Sequence, residues 1–358
     1  MITSTTRLRR SLEKTLPFFA GIAGGAAPRF VYGGRVDVLP TFAYHVVGPS
    51  FEDDLRFLQQ GGYRTAGADE LEAYARGEAE PDGRTVCLTF DDGDESVVRV
   101  AAPLLKRYGS RAIAFVVAAV VPDRTDGALA GWAELRSAAA AGALEVGSHS
   151  LYHHHVPVSA SVVGFVDAET DTRFTANVPI PRVTGDDVPT IGTPVYRGRP
   201  RYTAAAAFLP DPDGLEACRA FVHQAGEEVL RRPDGVRELM RLVPRRGAYE
   251  SREEADAAVE ADMRASFDRI AAECPNPAAR QLCFPWYATN RRAEVLAERV
   301  GAGVLLGGAQ RGRRGRMDAC PPLVQRLLPD LLRRLPGPGR QSLRSILWRR
   351  VAAATPGA

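Results

Sequence analysis

Thr89-Phe90-Asp91-Asp92-Gly93 and, further along, His149-Ser150-Leu151-Tyr152-His153 decide how this chain is read. The first stretch closes Val86-Cys87-Leu88-Thr89-Phe90, an apolar run that reads as a buried strand, and Asp-Asp-Gly is the turn that ends it. Side chains alternate along an extended backbone, so Asp91 and Asp92 cannot serve one atom identically. One can bind a metal while the other stands beside the metal's water. His149 and His153, spaced i and i+4, share one face if the segment is helical, close enough to hold the same ion. A carboxylate and two imidazoles leave a coordination position open, the pattern of a catalytic rather than a structural zinc site. Either motif alone is usually a turn or surface decoration. Their order, with a strand before the first and Gly147-Ser148 before the second, points to a metal site.

Both motifs resemble those of the polysaccharide deacetylases, the NodB-homology family of carbohydrate esterases, whose first motif is T-F-D-D-G and second H-[ST]-x-x-H. The resemblance extends to Tyr44-His45, Gly62-Tyr63-Arg64-Thr65, Trp132-Ala133-Glu134-Leu135 and Leu144-Glu145-Val146-Gly147-Ser148. Phe284-Pro285-Trp286 is similar to the third family motif, in which an aromatic follows Pro. Similarity therefore covers residues 38–155 and 250–310. It implies a distorted (β/α) barrel with fewer strand–helix units than a full eight-unit barrel.

Alternating elements agree with that α/β expectation. Strands are expected at Val36–Tyr44, Val86–Phe90, Ala112–Ala118, Leu144–Ser148, Gln281–Phe284 and Gly303–Leu306. Between them helices are expected at Phe51–Gln60, Ala68–Arg76, Val97–Tyr108, Trp132–Ala141, Glu253–Glu273 and Ala293–Arg299. Such alternation means parallel strands joined by crossover helices, with chemistry at the strand C-termini. The barrel is expected over residues 36–325, after a lead-in over 1–35. Residues 156–250 form a long insertion after the His motif. Pro179, Pro181, Pro189, Pro194, Pro200, Pro210 and Pro212 predict little regular structure there before a helix at Leu215–Arg231. An insertion beside an active-site motif is more often a lid or substrate wall than an idle loop.

With 358 residues and 45% hydrophobic content the chain can bury one large core, and a net charge of +3 gives no general pull on nucleic acid. Arg311-Gly312-Arg313-Arg314-Gly315-Arg316 lacks interleaved aromatics and reads as a solvated loop. The cysteines Cys87, Cys218, Cys274, Cys283 and Cys320 are odd in number and scattered, with no C-x-x-C, which leans towards a reducing compartment. At the N-terminus, Arg7, Arg9, Arg10 and Lys14 precede a short apolar run broken by Pro17 and glycines. A retained amphipathic helix in a cytoplasmic or membrane-peripheral protein is the expectation, with secretion through an atypical signal as the alternative. The tail over 326–358 interleaves leucines with arginines around Leu335-Pro336-Gly337-Pro338-Gly339, predicting two amphipathic helices. They either pack on the barrel or, for the second, lie on an anionic membrane with Trp348 at headgroup level.

The resemblance implies roles. Asp92, His149 and His153 would hold a divalent ion, Zn2+ first, with Co2+ or Ni2+ also suited to such ligands. Asp91 would be the general base. Pro285 positions Trp286, whose backbone N–H would face the oxyanion, and Trp286 and Tyr287 would offer flat surface to a sugar ring. The implied activity is hydrolysis of an N-acyl, usually acetyl, group on an amino sugar or polysaccharide. The alternatives are a deacylase of a lipid-linked or small glycoside, and a degenerate non-catalytic carbohydrate-binding domain. Two departures stand out. Many members carry an Arg shortly before the motif Pro that pairs with the base Asp, but Cys283 and Phe284 occupy those places, and Arg280 lies five positions upstream of Pro285. The family's late His is absent after Val304-Leu305-Leu306-Gly307-Gly308, which leaves His45 as the expected general acid.

Overall fold

In the computed structural model of the chain, residues 27–170, 190–308 and 321–354 are described. The lead-in before residue 27, the prolines Pro179, Pro181 and Pro189, and the Arg311–Arg316 run lie outside them. Within the described residues the strands are β1 (Thr41–Tyr44), β2 (Arg64–Thr65), β3 (Thr85–Phe90), β4 (Ala112–Val116), β5 (Leu144–Ser148), β6 (His155–Phe165), β7 (Pro194–Pro200), β8 (Phe208–Pro210), β9 (Gly247–Tyr249), β10 (Leu282–Cys283), β11 (Leu305–Gly308) and β12 (Leu323–Leu327). The helices are α1 (Phe51–Gln60), α2 (Ala68–Ala75), α3 (Ala102–Arg107), α4 (Trp132–Ala140), α5 (Pro212–Ala225), α6 (Pro233–Leu242), α7 (Arg252–Glu273), α8 (Arg291–Arg299) and α9 (Leu343–Ala354). The chain divides into two compact units. The first holds Met1–His149, Ser266–Tyr287 and Gly301–Ala358, and the second Ser150–Ala265 and Ala288–Val300.

In the first unit every strand pairing is parallel. The order β3–β1–β12–β11–β10–β5–β4 returns to β3, so seven strands close a ring. β2 pairs with the first two residues of β3, and β1 with its last four. This is the expected α/β barrel with fewer than eight units. β3 is buried on both faces, which explains its unbroken apolar run. Val86, Leu88 and Phe90 pack with Phe51, Leu55 and Leu58 of α1. Cys87 points the other way, among Ile113, Phe115, Leu306 and Val324, where Ala68, Leu71 and Ala75 of α2 also pack.

Some boundaries differ from expectation. β1 is short because Pro40, just before it, has no N–H to give a ladder. The helix expected at Val97–Tyr108 opens as a wide π-helical turn over Val97–Ala101 before α3. On α7 the buried stripe is Ala255, Val259, Met263, Phe267 and Ile270, and Ala257 faces outward.

The C-terminal part is corrected most. The first expected amphipathic helix is replaced by β12 and a 3-10 turn over Pro329–Arg334. Leu331, Leu332 and Leu335 are buried with Phe30 and Val31, so the chain around residue 30 belongs to the barrel core. Nor do all the arginines face water: Arg334 donates to the Val31 carbonyl and Arg333 pairs with Asp54 at 2.9 Å. The second helix, α9, is present, with Ile346 buried and Trp348 73% exposed. Among the described residues no helix is long and apolar enough to cross a membrane.

The second unit is more regular than its proline content suggests. β6 and β7 form an irregular antiparallel pair, and β8 pairs with β9. Tyr196, Phe208, Leu215, Cys218, Val222 and Leu239 make a core of their own. Its prolines punctuate rather than prevent structure: Pro212 and Pro233 start α5 and α6, where a missing N–H costs nothing. The helix expected at Leu215–Arg231 thus begins at Pro212 and stops before Gly226, whose φ of 80° breaks it.

Candidate active site

In a parallel barrel all strand C-termini lie on one rim, and the motif residues of the first unit gather there. Asp91 and Asp92 follow β3, and His149 follows β5. Phe284-Pro285 follows β10, and His45 follows β1. The register Tyr44↔Phe90, continued by the Asp91 N–H to the Tyr44 carbonyl at 2.9 Å, sets His45 beside Asp91. His45 Nε2 is 3.9 Å from Asp91 Oδ2, with its side chain 47% exposed.

The Asp-Asp-Gly turn places Asp92 (φ 71°) and Gly93 (φ 76°) consecutively in the left-handed region. Asp tolerates that region better than most residues, and Gly suffers no Cβ penalty there. Upstream of His149, a side chain at Gly147 would put its Cβ 2.6 Å from the Phe115 ring, so strand β5 can approach β4 only with glycine there.

Of the five non-glycine residues with positive φ among the described residues, Asp92, Ser150, His153 and Trp286 fall in the motifs and Tyr287 directly follows one. Each costs about 1–3 kcal/mol, and such strain concentrates at functional sites. The His pair therefore does not sit on a helical face, as its i, i+4 spacing predicts. It brackets a tight loop that turns sharply at Ser150 and again at His153.

His149 suits a divalent ion. Its Nδ1 lies 2.9 Å from the Cys283 carbonyl, which can only accept, so Nδ1 carries a proton and Nε2 is the ring nitrogen that would face an ion. That Nε2 is 3.4 Å from Asp92 Oδ1. Burial pushes the Asp92 carboxyl up to about 6, with His45 opposing the rise and Asp91 adding to it. A carboxylate so reluctant to ionise gains most from a cation. His153 belongs to the second unit, where it is buried and donates its backbone N–H to Ser150 Oγ at 2.8 Å.

Asp91 is set up differently. Arg326, from β12, grips both its oxygens, Nη1 to Oδ1 at 2.6 Å and Nη2 to Oδ2 at 2.8 Å. Both side chains are almost wholly buried. Burial alone would raise the Asp91 carboxyl. The charges of Arg326, then His149 and His45, overcome it and hold Asp91 well below the usual carboxylate range. Asp91, His149 and Cys283 also converge within 4.8 Å of one another. That grouping is a poor ion site, because Arg326 occupies both Asp91 oxygens and burial pushes the Cys283 thiol up.

Arg326 is the residue that sequence reading missed. By spacing it joins the arginines of the amphipathic tail, yet it is the lone charge in Leu323-Val324-Gln325-Arg326-Leu327, a strand-like run. It supplies from β12 the partner that is missing near the motif Pro. Cys283, standing in that place, puts its Sγ 3.6 Å from Asp91 Oδ1. Arg280 is elsewhere, 6.0 Å from the centre of the Phe267 ring. Tyr287 lays its ring over Arg326 with 4.8 Å between centroid and guanidinium, so that face of the ring is committed to the ion pair.

Comparison with known proteins agrees. The polysaccharide deacetylase family model matches residues 78–178. YxkH of Bacillus subtilis (strain 168), a protein of polysaccharide deacetylase type, is 30% identical over 88 residues, 22% of this chain. The match covers 32% of YxkH, so the chain spans about a third of that relative's length. A de-N-acetylase from Aggregatibacter actinomycetemcomitans superposes with a TM-score of 0.50 at 17% identity, covering 81% of this chain and 94% of that one. The BpsB deacetylase domain of Bordetella bronchiseptica gives 0.51 at 18% identity, covering 82% and 98%. These likenesses show the fold, and the sequence match over residues 78–178, which holds both motifs, is to polysaccharide deacetylases.

Proposed function

We propose that the chain is a metal-dependent hydrolase that removes an N-acyl group, usually acetyl, from an amino sugar within a glycan. The observation that carries this reading is the buried Asp91–Arg326 pair beside Asp92 and His149, one carboxylate kept charged and its neighbour open to a cation. By the family resemblance Asp92, His149 and His153 would hold the ion. Zinc suits their mixed donors best, and cobalt or nickel would also bind. When bound, a divalent ion would supply Lewis-acid polarisation of the amide carbonyl and lower the pKa of the attacking water towards ~7.

The chain's own residues do the rest. Arg326 keeps Asp91 ionised and oriented, and Asp91 takes the proton of the attacking water. The water oxygen adds to the acyl carbon, and the backbone N–H of Trp286 is the donor for the oxyanion that forms. Collapse breaks the C–N bond, and a proton delivered to nitrogen releases the amine and acetate. His45, half-exposed and beside Asp91, is the proposed proton donor. A fully buried ion pair aimed at the rim is a feature that a non-catalytic sugar-binding module would not need.

The test is a division of labour. Alanine at Asp92, His149 or His153 should abolish both bound metal, read by mass spectrometry, and turnover on N-acetylated oligosaccharides. Asp91→Asn should keep the metal and lose about 100- to 10,000-fold in rate. His45→Gln should lower turnover with metal content unchanged. A fully active Asp91→Asn protein would overturn the assignment.

A further inference from the structure

Within the second unit, the loop that carries His153 is held by a chain of hydrogen bonds ending on a buried carboxylate. The His153 N–H donates to Ser150 Oγ, and the Ser150 hydroxyl is in turn bonded to the Tyr202 oxygen. The Tyr202 O–H donates to Asp262 Oδ1. The same Asp262 oxygen accepts the Leu151 N–H at 3.1 Å, and the Tyr152 backbone is also bonded to this carboxylate. Tyr202 and Asp262 are 3% and 6% exposed, too deep for their polar atoms to depend on solvent. Asp262 and Ser266 are the polar residues among the buried positions of α7, one turn apart. Ser266 meets Ser148, the residue before His149, at 2.7 Å.

A loop with left-handed backbone at both Ser150 and His153 relaxes unless its surroundings over-determine it. Asp262 and Tyr202 provide that constraint: their bonds reach Ser150, Leu151 and Tyr152 directly, and His153 through the Ser150 hydroxyl. We propose that Asp262 and Tyr202 are positioning residues that lock the Ser150–His153 loop in the strained shape presenting His153 to a metal, so that metal affinity is set partly by the insertion. The effect on metal rests on the function proposed above; the locking of the loop does not.

Two readouts separate the claims. In full-length protein without added metal, amide hydrogen exchange over residues 150–153 should speed up at least about tenfold in Tyr202→Phe and Asp262→Ala. Asp262→Asn, which keeps one acceptor oxygen, should recover part of the protection. Zn2+ affinity, measured by competition with a chromophoric chelator, should fall about 10- to 100-fold in the same order, as for other partners that orient ligands. Tyr202→Phe removes a single hydroxyl and keeps the test valid if Asp262→Ala does not fold. Unchanged exchange in Tyr202→Phe would overturn the brace. Faster exchange with unchanged Zn2+ affinity would overturn its link to the metal. Wild-type protein that takes up no Zn2+ would sink the metal reading, while exchange still decides the brace.

Discussion

In the barrel unit the buried carboxylate of Asp91 faces a guanidinium fork; in the second unit the buried carboxylate of Asp262 is hydrogen-bonded by neutral donors. Both side chains are nearly inaccessible, yet they move in opposite directions. Burial would raise either carboxyl. At Asp91 the charge of Arg326 wins and holds it low, whereas at Asp262 the bonds from Tyr202 and Leu151 only soften the rise. At Asp91 a full countercharge outweighs burial, whereas the neutral donors at Asp262 do not. The barrel unit thus holds its buried acid with a countercharge, and the second unit holds its own with neutral donors.

The largest expected effect is at the ion pair. Arg326→Met leaves Asp91 buried and uncompensated and should destabilise the protein by about 3–5 kcal/mol in urea unfolding. Adding Asp91→Asn to that variant should recover much of the loss, because a neutral pair can be buried cheaply. Asp262→Asn should cost about 1–2 kcal/mol, since one acceptor survives. Equal costs for Arg326→Met and Asp262→Asn would erase the distinction between the two sites.

Acid titration sharpens the same contrast through its sign. A depressed folded pKa makes Asp91 contribute stability above the unfolded value of about 3.9, lost as pH falls below it. Asp91→Asn should therefore flatten the acid limb, by up to about 1.4 kcal/mol per pH unit. Asp262 has a raised folded value, so its contribution is complete below about 3.9 and is lost as pH rises through the folded value. Relative to wild type, Asp262→Asn should gain stability across that rise. Shifts of the same sign in both variants would show that one of the two environments is misassigned.

The smallest effect tests whether burial or membership of the barrel unit decides these costs. Trp348 is in the barrel unit but 73% exposed, and Trp348→Ser should change stability by less than about 0.5 kcal/mol. The variant also probes the proposed peripheral membrane contact. On that reading the full chain sediments with anionic vesicles and the Trp348→Ser chain does not. Equal sedimentation of both would leave α9 as packing alone.

Much of the barrel and half of the site are written in local pattern. The β3 run, the Asp-Asp-Gly turn, the β5 strand and the His spacing are each specified by neighbours a few residues apart, which is why the candidate metal ligands are legible. Prolines misled because their effect depends on position: at a helix start they are favourable, and composition alone cannot say where a helix starts. The loop geometry of His149–His153 was hidden for a related reason, since i, i+4 spacing fits a helix and a tight loop equally well.

By itself, then, the sequence determined the family resemblance, the parallel α/β architecture, the candidate ligands Asp92, His149 and His153, and the candidate base Asp91. Tertiary structure alone decided what partners that base. Arg326 lies 235 residues from Asp91 along the chain, and only the parallel pairing of β12 with β1, and of β1 with β3, brings the two together. It decided the brace in the same way, carrying Asp262 of α7 back to Leu151, 111 residues earlier. Local pattern records what a residue's neighbours require. A charge that is stable only because a distant partner is buried with it leaves no local trace beyond being out of place.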